Sequence, residues 1–244
     1  MEKYNLVLKE LKLHASVERA KAAIWYFKAG KGEYGEGDRF LGVPVPAQRQ
    51  IARHFAFHFR PEELRPLLES PYHEMRATAL FILIRNLNKA PDVAEEKKWV
   101  MCYLDHLDYV NNWDLVDSSA PLILGKWLEQ RDRRLLYRFA HSKNLWKNRI
   151  AMLTTLAFIR KNDCVDLLQL ATIFINHPHD LMHKATGWML REAWKVHPTV
   201  IEQFLLEHAP AMPRTMLRYT VEKMKPTDRM RWMKMKQLKK TAAK

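Results

Sequence analysis

The sequence has few cysteines and no long apolar run, and each absence excludes a class of protein. Of its 244 residues only two are cysteine, too few for a disulfide framework or a cysteine-based zinc site. No apolar run approaches the ~20 residues that a membrane-spanning helix needs. The first residues, MEKYNLVLKE, carry charge inside their apolar segment, which argues against a signal peptide. These absences predict a cytoplasmic protein.

Glycine is also scarce, and its scarcity bears on the fold class. Only seven glycines are present, and four of them fall in the short segment AGKGEYGEGD. The long glycine-free stretches show few of the alternations that indicate strands, and their apolar residues recur at helical spacing. The sequence therefore predicts an all-α protein.

Familiar catalytic and metal-binding motifs are missing as well. There is no Walker phosphate-binding loop, no HExxH metal site and no dinucleotide fingerprint. The one histidine cluster, HPHDLMH, contains His177, His179, Asp180 and His183. Its spacing matches no standard zinc pattern. We expect exposed imidazoles at a junction between a loop and a helix, and neither a metal nor a cofactor.

Positive charge is present in excess. Lysine and arginine number 41 against 27 aspartate and glutamate residues, which gives a net charge of +14. This excess predicts an anionic partner, with nucleic acid first and an acidic protein or an anionic membrane surface as alternatives. A basic composition that serves solubility alone is a further alternative.

Five helix openings resemble one another and recur at an interval of roughly 35 residues. They read, in order, HEMRATALFILIR, NNWDLVD, LWKNRIAMLTTLAFIR, LMHKATGWMLREAW and MPRTMLRYTVEKM. Two-helix repeats of this length build α-solenoids, in which each pair buries its apolar face against its neighbours. We expect one helical-repeat domain over residues 1–232, followed by a basic tail over residues 233–244.

Four of these openings place a cation near the start of the helix, namely Arg76, Arg149, Lys184 and Arg214. A cation at this end of a helix opposes the helix dipole, so an anion that binds there explains the recurrence better than chance does. In a solenoid the second helix of each pair lines one concave surface. The cations are therefore predicted to line a basic groove that holds a nucleic-acid backbone. The alternative is that they are ordinary solvated residues.

The remaining opening carries an acid instead of a cation. Trp113 and Asp117 lie four residues apart, so both side chains emerge from one helical face. Trp188 likewise follows Lys184 by four residues, and Tyr26 lies in WYFK on an early helix. For a tryptophan the alternative is core packing. For Asp117 it is a helix first-turn carboxylate, or one paired with a nearby base.

The chain resembles the bacterial AlkD-like DNA alkylation repair proteins over nearly its whole length. Five stretches carry the resemblance: NNWDLVD, LWKNR, HKATGWMLRE, MPRTMLRY and FLGVPVP. The resemblance implies an α-solenoid of HEAT-like helical repeats with a concave basic groove. It also implies a DNA glycosylase that releases positively charged N3- and N7-alkylated purines from duplex DNA without flipping the base.

The same resemblance implies roles for individual residues. Trp113 and Trp188 would lie against the sugar and backbone of the lesion nucleotide, with Asp117 between them as the third catalytic residue. Arg149 would hold backbone phosphate near the site. The predicted DNA-binding set as a whole comprises Tyr26, Arg76, Lys147, Arg149, Lys184, Arg191, Arg214 and Arg218.

The predicted reaction is hydrolysis of the N-glycosidic bond, and the predicted partner is double-stranded DNA that contains alkylated bases. No lysine is placed for Schiff-base chemistry, so we expect a monofunctional glycosylase without lyase activity. We also expect a monomer with no membrane partner. Two alternatives remain: a non-enzymatic binder of damaged or branched DNA on the same scaffold, and a helical-repeat scaffold for an acidic protein.

Overall fold

Helices account for the regular secondary structure, as the scarcity of glycine predicts. The computed structural model describes the backbone of residues 2–242 and the side chains of residues 2–235. That part of the chain forms 14 α-helices and two short 3-10 helices, and its only β-type pairing is an isolated bridge between Arg39 and Tyr72. The all-α prediction is confirmed. Within the same residues, no helix is long and apolar enough to cross a bilayer.

The chain divides into two compact units, residues 1–119 and 120–244. The helices of the first unit are α1 (Glu2–Lys12), α2 (Val17–Tyr26), α3 (Val45–Phe55), α4 (Arg65–Leu68), α5 (His73–Leu87), α6 (Val93–Asp105) and the start of α7 (Trp113–Leu128). Helix α5 is central, because it packs against α1, α3, α4 and α6. Of its 15 side chains 14 are buried. A helix buried on all sides has a nearly continuous apolar sequence instead of a single apolar stripe.

Glu74 joins α5 to the loop between α2 and α3. Its buried carboxylate accepts hydrogen bonds from the backbone N–H groups of Leu41, at 3.0 Å, and Gly42, at 2.8 Å. Gly42 has a φ of +74°, and a Cβ there would lie 2.1 Å from the carbonyl oxygen of Ser16. Only glycine fits this position. The loop that contains Asp38 is therefore fixed against α5.

The second unit contains the rest of α7 and seven further helices: α8 (Arg134–Ala140), α9 (Leu145–Ile159), α10 (Val165–Phe174), α11 (Asp180–Val196), α12 (Pro198–His208), α13 (Arg214–Thr220) and α14 (Pro226–Ala242). Helix α9 packs against α8, α10 and α11, and α11 packs in turn against α12 and α13. A Cβ at Gly187 would lie 2.4 Å from the carbonyl oxygen of Met216 and 2.6 Å from the Cβ of Tyr219. Helices α11 and α13 therefore approach each other closely because residue 187 has no side chain.

The predicted repeat is visible in the helix starts. The five similar openings begin α5, α7, α9, α11 and α13, and successive starts are 40, 32, 35 and 34 residues apart. One α-helix lies between each of these and the next. The order of elements is therefore that of two-helix repeats, as the sequence predicts. The concave basic groove stays a prediction.

The expected boundary between a domain and a basic tail falls inside α14. Its helical backbone runs from Pro226 to Ala242, across the position between residues 232 and 233. The side chains of residues 236–244, which make up most of the expected tail, lie outside the described residues. The division into a domain of residues 1–232 and a tail stays a prediction.

The close approach of α11 and α13 leads to a prediction about stability. Gly187→Ala is expected to lower the free energy of unfolding by about 1–3 kcal/mol, because the added methyl group overlaps the backbone of α13. Urea unfolding of the full chain measures the loss. Gly30→Ala is the matched control, since its Cβ would meet only the movable carboxylate of Glu33, at 2.9 Å. Equal stabilities of the two variants would contradict this close packing of α11 against α13.

Candidate functional site

The candidate site in the first unit is built around the start of α7. Asn112 is fully buried just before this helix. Its side-chain oxygen accepts a hydrogen bond from the backbone N–H of Trp113 at 2.8 Å, and its side-chain nitrogen donates to the carbonyl of Phe27 at 3.2 Å. Both polar atoms of the buried amide are satisfied. Asn112 therefore ties the first turn of α7 to the segment that follows α2.

Trp113 packs against a group of aromatic side chains. Its ring stacks on Phe27 at a centroid distance of 5.5 Å and meets the edge of Tyr26 at 5.5 Å. Phe27 stacks in turn on Phe40 at 5.4 Å, with the two rings nearly parallel. Trp113 nevertheless stays half-buried, and Tyr26 is 56% exposed. Phe27 and Tyr26 thus pack against the indole, while part of its ring faces solvent. Core packing alone therefore does not account for the position of Trp113.

Asp117 follows Trp113 on the same helix, one turn later, and it is also half-buried. Residues four apart on a helix lie on one face. The structure therefore places Trp113 and Asp117 on one face of α7 and Tyr26 in contact with Trp113. The predicted position of Asp117 between Trp113 and Trp188 stays a prediction.

Next to this aromatic group is a set of ionisable side chains, three of them buried and that of Asp114 half-buried, of which the sequence analysis singled out only Arg76. The set, here called the buried charge cluster, consists of Asp38, His73, Arg76 and Asp114. The Nδ1 of His73 lies 2.9 Å from Asp38 and its Nε2 lies 2.8 Å from Asp114. Arg76 donates to the other oxygen of Asp38 at 2.6 Å. The imidazole of His73 also stacks on Phe27 at 4.7 Å.

The electrostatics of the cluster favour charged groups in spite of burial. Burial by itself would lower the pKa of His73, but the charge of Asp114 and the hydrogen bonds to both carboxylates raise it to about 9. Burial would raise the pKa of the Asp38 carboxyl, and the hydrogen bond from His73 and the charge of Arg76 hold that pKa below its usual range. Two cations therefore neutralise two carboxylates.

The structure corrects the prediction for Arg76. The sequence predicts this cation on an open surface, yet only 3% of the residue is exposed. Its guanidinium donates to Asp38, to the side-chain oxygen of Asn111 at 3.1 Å and to the carbonyl of Ser70 at 2.8 Å. The physical reason is that the buried carboxylate of Asp38 needs a counterion. Arg76 therefore has an internal partner and is not a phosphate-facing residue.

Arg149 in the second unit is also more buried than predicted. The residue is 5% exposed, and its Nη1 donates to the carbonyl oxygen of Leu181 at 2.8 Å. Arg149 lies on α9 and Leu181 on α11, so this bond joins two neighbouring helices. The expectation of an open surface cation is thus wrong for Arg149 as well, and its contact with DNA stays a prediction.

The other predicted DNA-binding cations of the second unit are more accessible. Arg214 and Arg218 are exposed on α13, where Arg214 donates to the carbonyl of Met233 at 2.7 Å. Lys147 is half-buried in the first turn of α9. Two cations of α11 pair with acids: Lys184 lies 2.8 Å from Asp180, and Arg191 contacts Glu222 and Glu192.

Trp188 is the predicted catalytic tryptophan of the second unit. It is half-buried on α11, four residues after Lys184. Its indole N–H donates to the carboxylate of Glu192 at 3.1 Å, one turn further along the helix. Its ring therefore has a fixed polar contact on its own helix. Its catalytic role stays a prediction.

The histidines of HPHDLMH form hydrogen bonds at the start of α11. The Nδ1 of His179 accepts from the backbone N–H of Leu181 at 3.1 Å, and His183 Nε2 donates to the carbonyl of His177 at 2.6 Å. All three imidazoles are half-buried, more than we expected. Burial lowers the pKa of His177 and of His179. Across the described residues, no group of three or more His, Cys, Asp or Glu side chains is arranged to hold a metal ion.

Comparisons with known proteins agree with the resemblance seen in the sequence. A family model for DNA alkylation repair enzymes matches residues 7–224. The solved structure of a predicted DNA alkylation repair enzyme from Enterococcus faecalis superposes with a TM-score of 0.70. It is 18% identical to this chain, and the match covers 87% of this chain and 98% of that one. At this identity the similarity establishes a shared fold alone. No curated protein matches. Since the family model spans most of the sequence, the chain belongs to the family of DNA alkylation repair enzymes.

Proposed function

We propose that the protein is a monofunctional DNA glycosylase. In this proposal it hydrolyses the N-glycosidic bond of positively charged N3- and N7-alkylated purines in duplex DNA, without flipping the base. It acts as a cytoplasmic monomer. Membership of the DNA alkylation repair family supports a substrate of damaged DNA. The chemistry of the candidate site supports the specific reaction.

The observation that carries the proposal is the pairing of Trp113 with Asp117 at the start of α7. Both side chains are half-buried and lie on one helical face, and the indole is supported by Phe27 and Tyr26. A carboxylate and a phosphate repel each other, so a protein that only binds the DNA backbone has no need of an acid at this position. It suits a reaction in which positive charge develops next to the phosphate backbone.

Base release from an alkylated purine develops such a charge. A purine alkylated at N3 or N7 is already cationic, so it leaves with its bonding electron pair without first being protonated. The sugar left behind acquires oxocarbenium character, and water then adds to C1′ and loses a proton. A fixed carboxylate stabilises this transition state more than it stabilises the substrate. In our proposal Asp117 is that carboxylate, and it also orients the attacking water.

The magnitude of this effect is adequate for catalysis. A carboxylate ~4 Å from a unit positive charge, at an effective dielectric constant of ~20, gains roughly 4 kcal/mol. This corresponds to a rate increase on the order of a thousandfold. Cation–π contact with an indole face adds ~0.5–2 kcal/mol. We propose that Trp113 and Trp188 supply these faces.

DNA binding in this proposal depends on cations of the second unit. The exposed pair on α13, Arg214 and Arg218, is best suited to meet phosphates directly. Lys147, Lys184 and Arg191 are partly exposed and extend the proposed surface. Arg149, anchored on the carbonyl of Leu181, is proposed to contribute at the start of α9. Tyr26 supplies an exposed ring beside Trp113.

The first test removes the charge of Asp117. Asp117→Asn is expected to slow the release of free base from methylated duplex DNA on the order of a thousandfold. DNA affinity should change little, because the acid acts on a charge that exists only in the transition state. Single-turnover kinetics and equilibrium binding measure the two effects. Asp105→Asn, an exposed acid at the end of α6, is the matched control. A variant that keeps more than about a tenth of the wild-type rate would refute the electrostatic role.

The second test varies the charge of the leaving base. N7-methylguanine and a bulky N7 adduct should both be released, since the base carries its own positive charge and no tight pocket encloses it. Neutral hypoxanthine should be released poorly or not at all. Single-turnover rates of release of the three bases, each placed in the same duplex sequence, measure this difference. Efficient release of hypoxanthine with refusal of the bulky cation would indicate a base-flipping enzyme instead. If duplex DNA is bound and no base is released, the protein is a binder of damaged DNA.

The third test addresses the proposed phosphate contacts. Arg218→Gln is expected to weaken duplex binding and to lower the slope of log K against log salt by about 0.9, the loss of one phosphate contact. Arg85→Gln, an exposed arginine in the last turn of α5, is the control that should leave the slope unchanged. Equal slopes for wild type and Arg218→Gln would place the phosphate contacts elsewhere. If neither protein binds duplex DNA, an acidic protein becomes the candidate partner.

A further inference from the structure

His73 contacts the start of α7 by two separate routes. Its Nε2 lies 2.8 Å from the carboxylate of Asp114, the second residue of that helix. Its ring stacks on Phe27 at 4.7 Å, and the ring of Phe27 stacks on Trp113 at 5.5 Å. Both routes lead to the turn that presents the candidate catalytic residues, although His73 itself is only 2% exposed.

We propose that His73 is a positioning residue, which as an imidazolium held between two carboxylates fixes the first turn of α7 and thereby orients Trp113 and Asp117. The consequence of this positioning for catalysis rests on the proposed glycosylase function. Its consequence for the environment of Trp113 can be measured without DNA.

The geometry requires a protonated ring. Both nitrogens of His73 face carboxylate oxygens, at 2.9 Å and 2.8 Å. A neutral imidazole has one N–H, so only the cation can donate to both. The titratable groups that face the ring are Asp38 from the loop between α2 and α3, Asp114 from α7 and Arg76 from α5 itself. The two acids favour the cation, and Arg76 opposes it.

Asp114 depends on His73 more than on any other described group. One carboxylate oxygen of Asp114 accepts from His73, and the other is buried without a hydrogen-bond partner among the described residues. Loss of the imidazolium would therefore leave a poorly satisfied carboxylate in the first turn of α7. Because the pKa of His73 is raised to about 9, both contacts are complete at neutral pH. One of them is lost as the pH rises through about 9.

The first experiment observes Trp113 directly by ¹⁹F NMR of protein labelled with 5-fluorotryptophan. The resonance of Trp113 is assigned with Trp113→Phe, and Trp99, buried on α6, is the internal reference. In the wild type the Trp113 resonance should titrate with a midpoint of about 9 while that of Trp99 stays constant. In His73→Gln the titration of Trp113 should disappear.

A second variant lowers the pKa of His73 without removing its ring. Asp114→Asn keeps a side-chain oxygen that can accept from His73 and removes the charge that contributes most to raising the pKa of His73. The midpoint of the Trp113 titration should therefore move to lower pH. The alkaline limb of single-turnover excision, corrected for spontaneous base loss, should move with it. Loss of stability alone would not shift either midpoint.

Excision kinetics test the consequence for catalysis. His73→Gln should slow single-turnover release of N7-methylguanine on the order of 10²-fold, the effect of a small misplacement of reacting groups. The dissociation constant for duplex DNA should change little. His106→Gln is the matched control, since His106 is a partly buried histidine of the same unit whose Nδ1 bonds to the carbonyl of Cys102 at 2.7 Å. It should leave the excision rate unchanged.

The outcomes separate this proposal from the proposed function. A Trp113 resonance that does not titrate in the wild type, or that titrates equally in His73→Gln, overturns the positioning role whatever the activity. An unchanged excision rate in His73→Gln overturns its catalytic consequence. If the wild type releases no base while Trp113 responds as expected, the glycosylase proposal fails and the positioning role stands. If His73→Gln does not fold, an unmoved midpoint in Asp114→Asn overturns the proposal.

Discussion

Burial of charge is the constraint on which the first unit depends. A carboxylate transferred alone into a protein interior loses several kcal/mol of solvation free energy. The buried charge cluster offsets this cost by surrounding two carboxylates with two cations in direct hydrogen-bond contact. Its members come from the loop after α2, from α5 and from α7. The ion pairs and hydrogen bonds of the cluster therefore hold these three segments in one arrangement. The aromatic group beside the cluster is held in place by the same arrangement.

The cations at helix starts show how one sequence pattern can serve different physical purposes. Arg76 neutralises a buried acid, and Arg149 bonds a carbonyl of a neighbouring helix. Lys184 pairs with Asp180 on its own helix. Arg214 is the most exposed of the four. A recurring cation is thus explained in part by internal bonding, and the proposed contact with DNA depends on further surface residues of this chain with a net charge of +14.

In the proposed reaction, the start of α7 has to meet two requirements that usually conflict. A group that stabilises a transient sugar cation has to be held in place. A mobile carboxylate would reorient with the surrounding water instead of staying next to the developing charge. It also has to be accessible. Asn112 and the aromatic group fix the backbone and the indole from the protein side, while Trp113 and Asp117 remain half-buried on one helical face. The side of α7 that these contacts hold in place is therefore different from the side that stays accessible.

The sequence by itself determined the helical class, the repeat of helix openings and the common face of Trp113 and Asp117. Each of these depends on residues a few positions apart, where helical periodicity acts directly. Only the tertiary structure decided which charged side chains are buried. Asp38, His73 and Asp114 are separated by 35 and 41 residues along the chain, and no local pattern pairs them. The spacing of His73 and Arg76 on one face of α5 was the available signal, and it identifies neither partner. Whether a cation faces solvent or a buried acid depends on which segments pack against its helix, and that packing is set by long-range contacts.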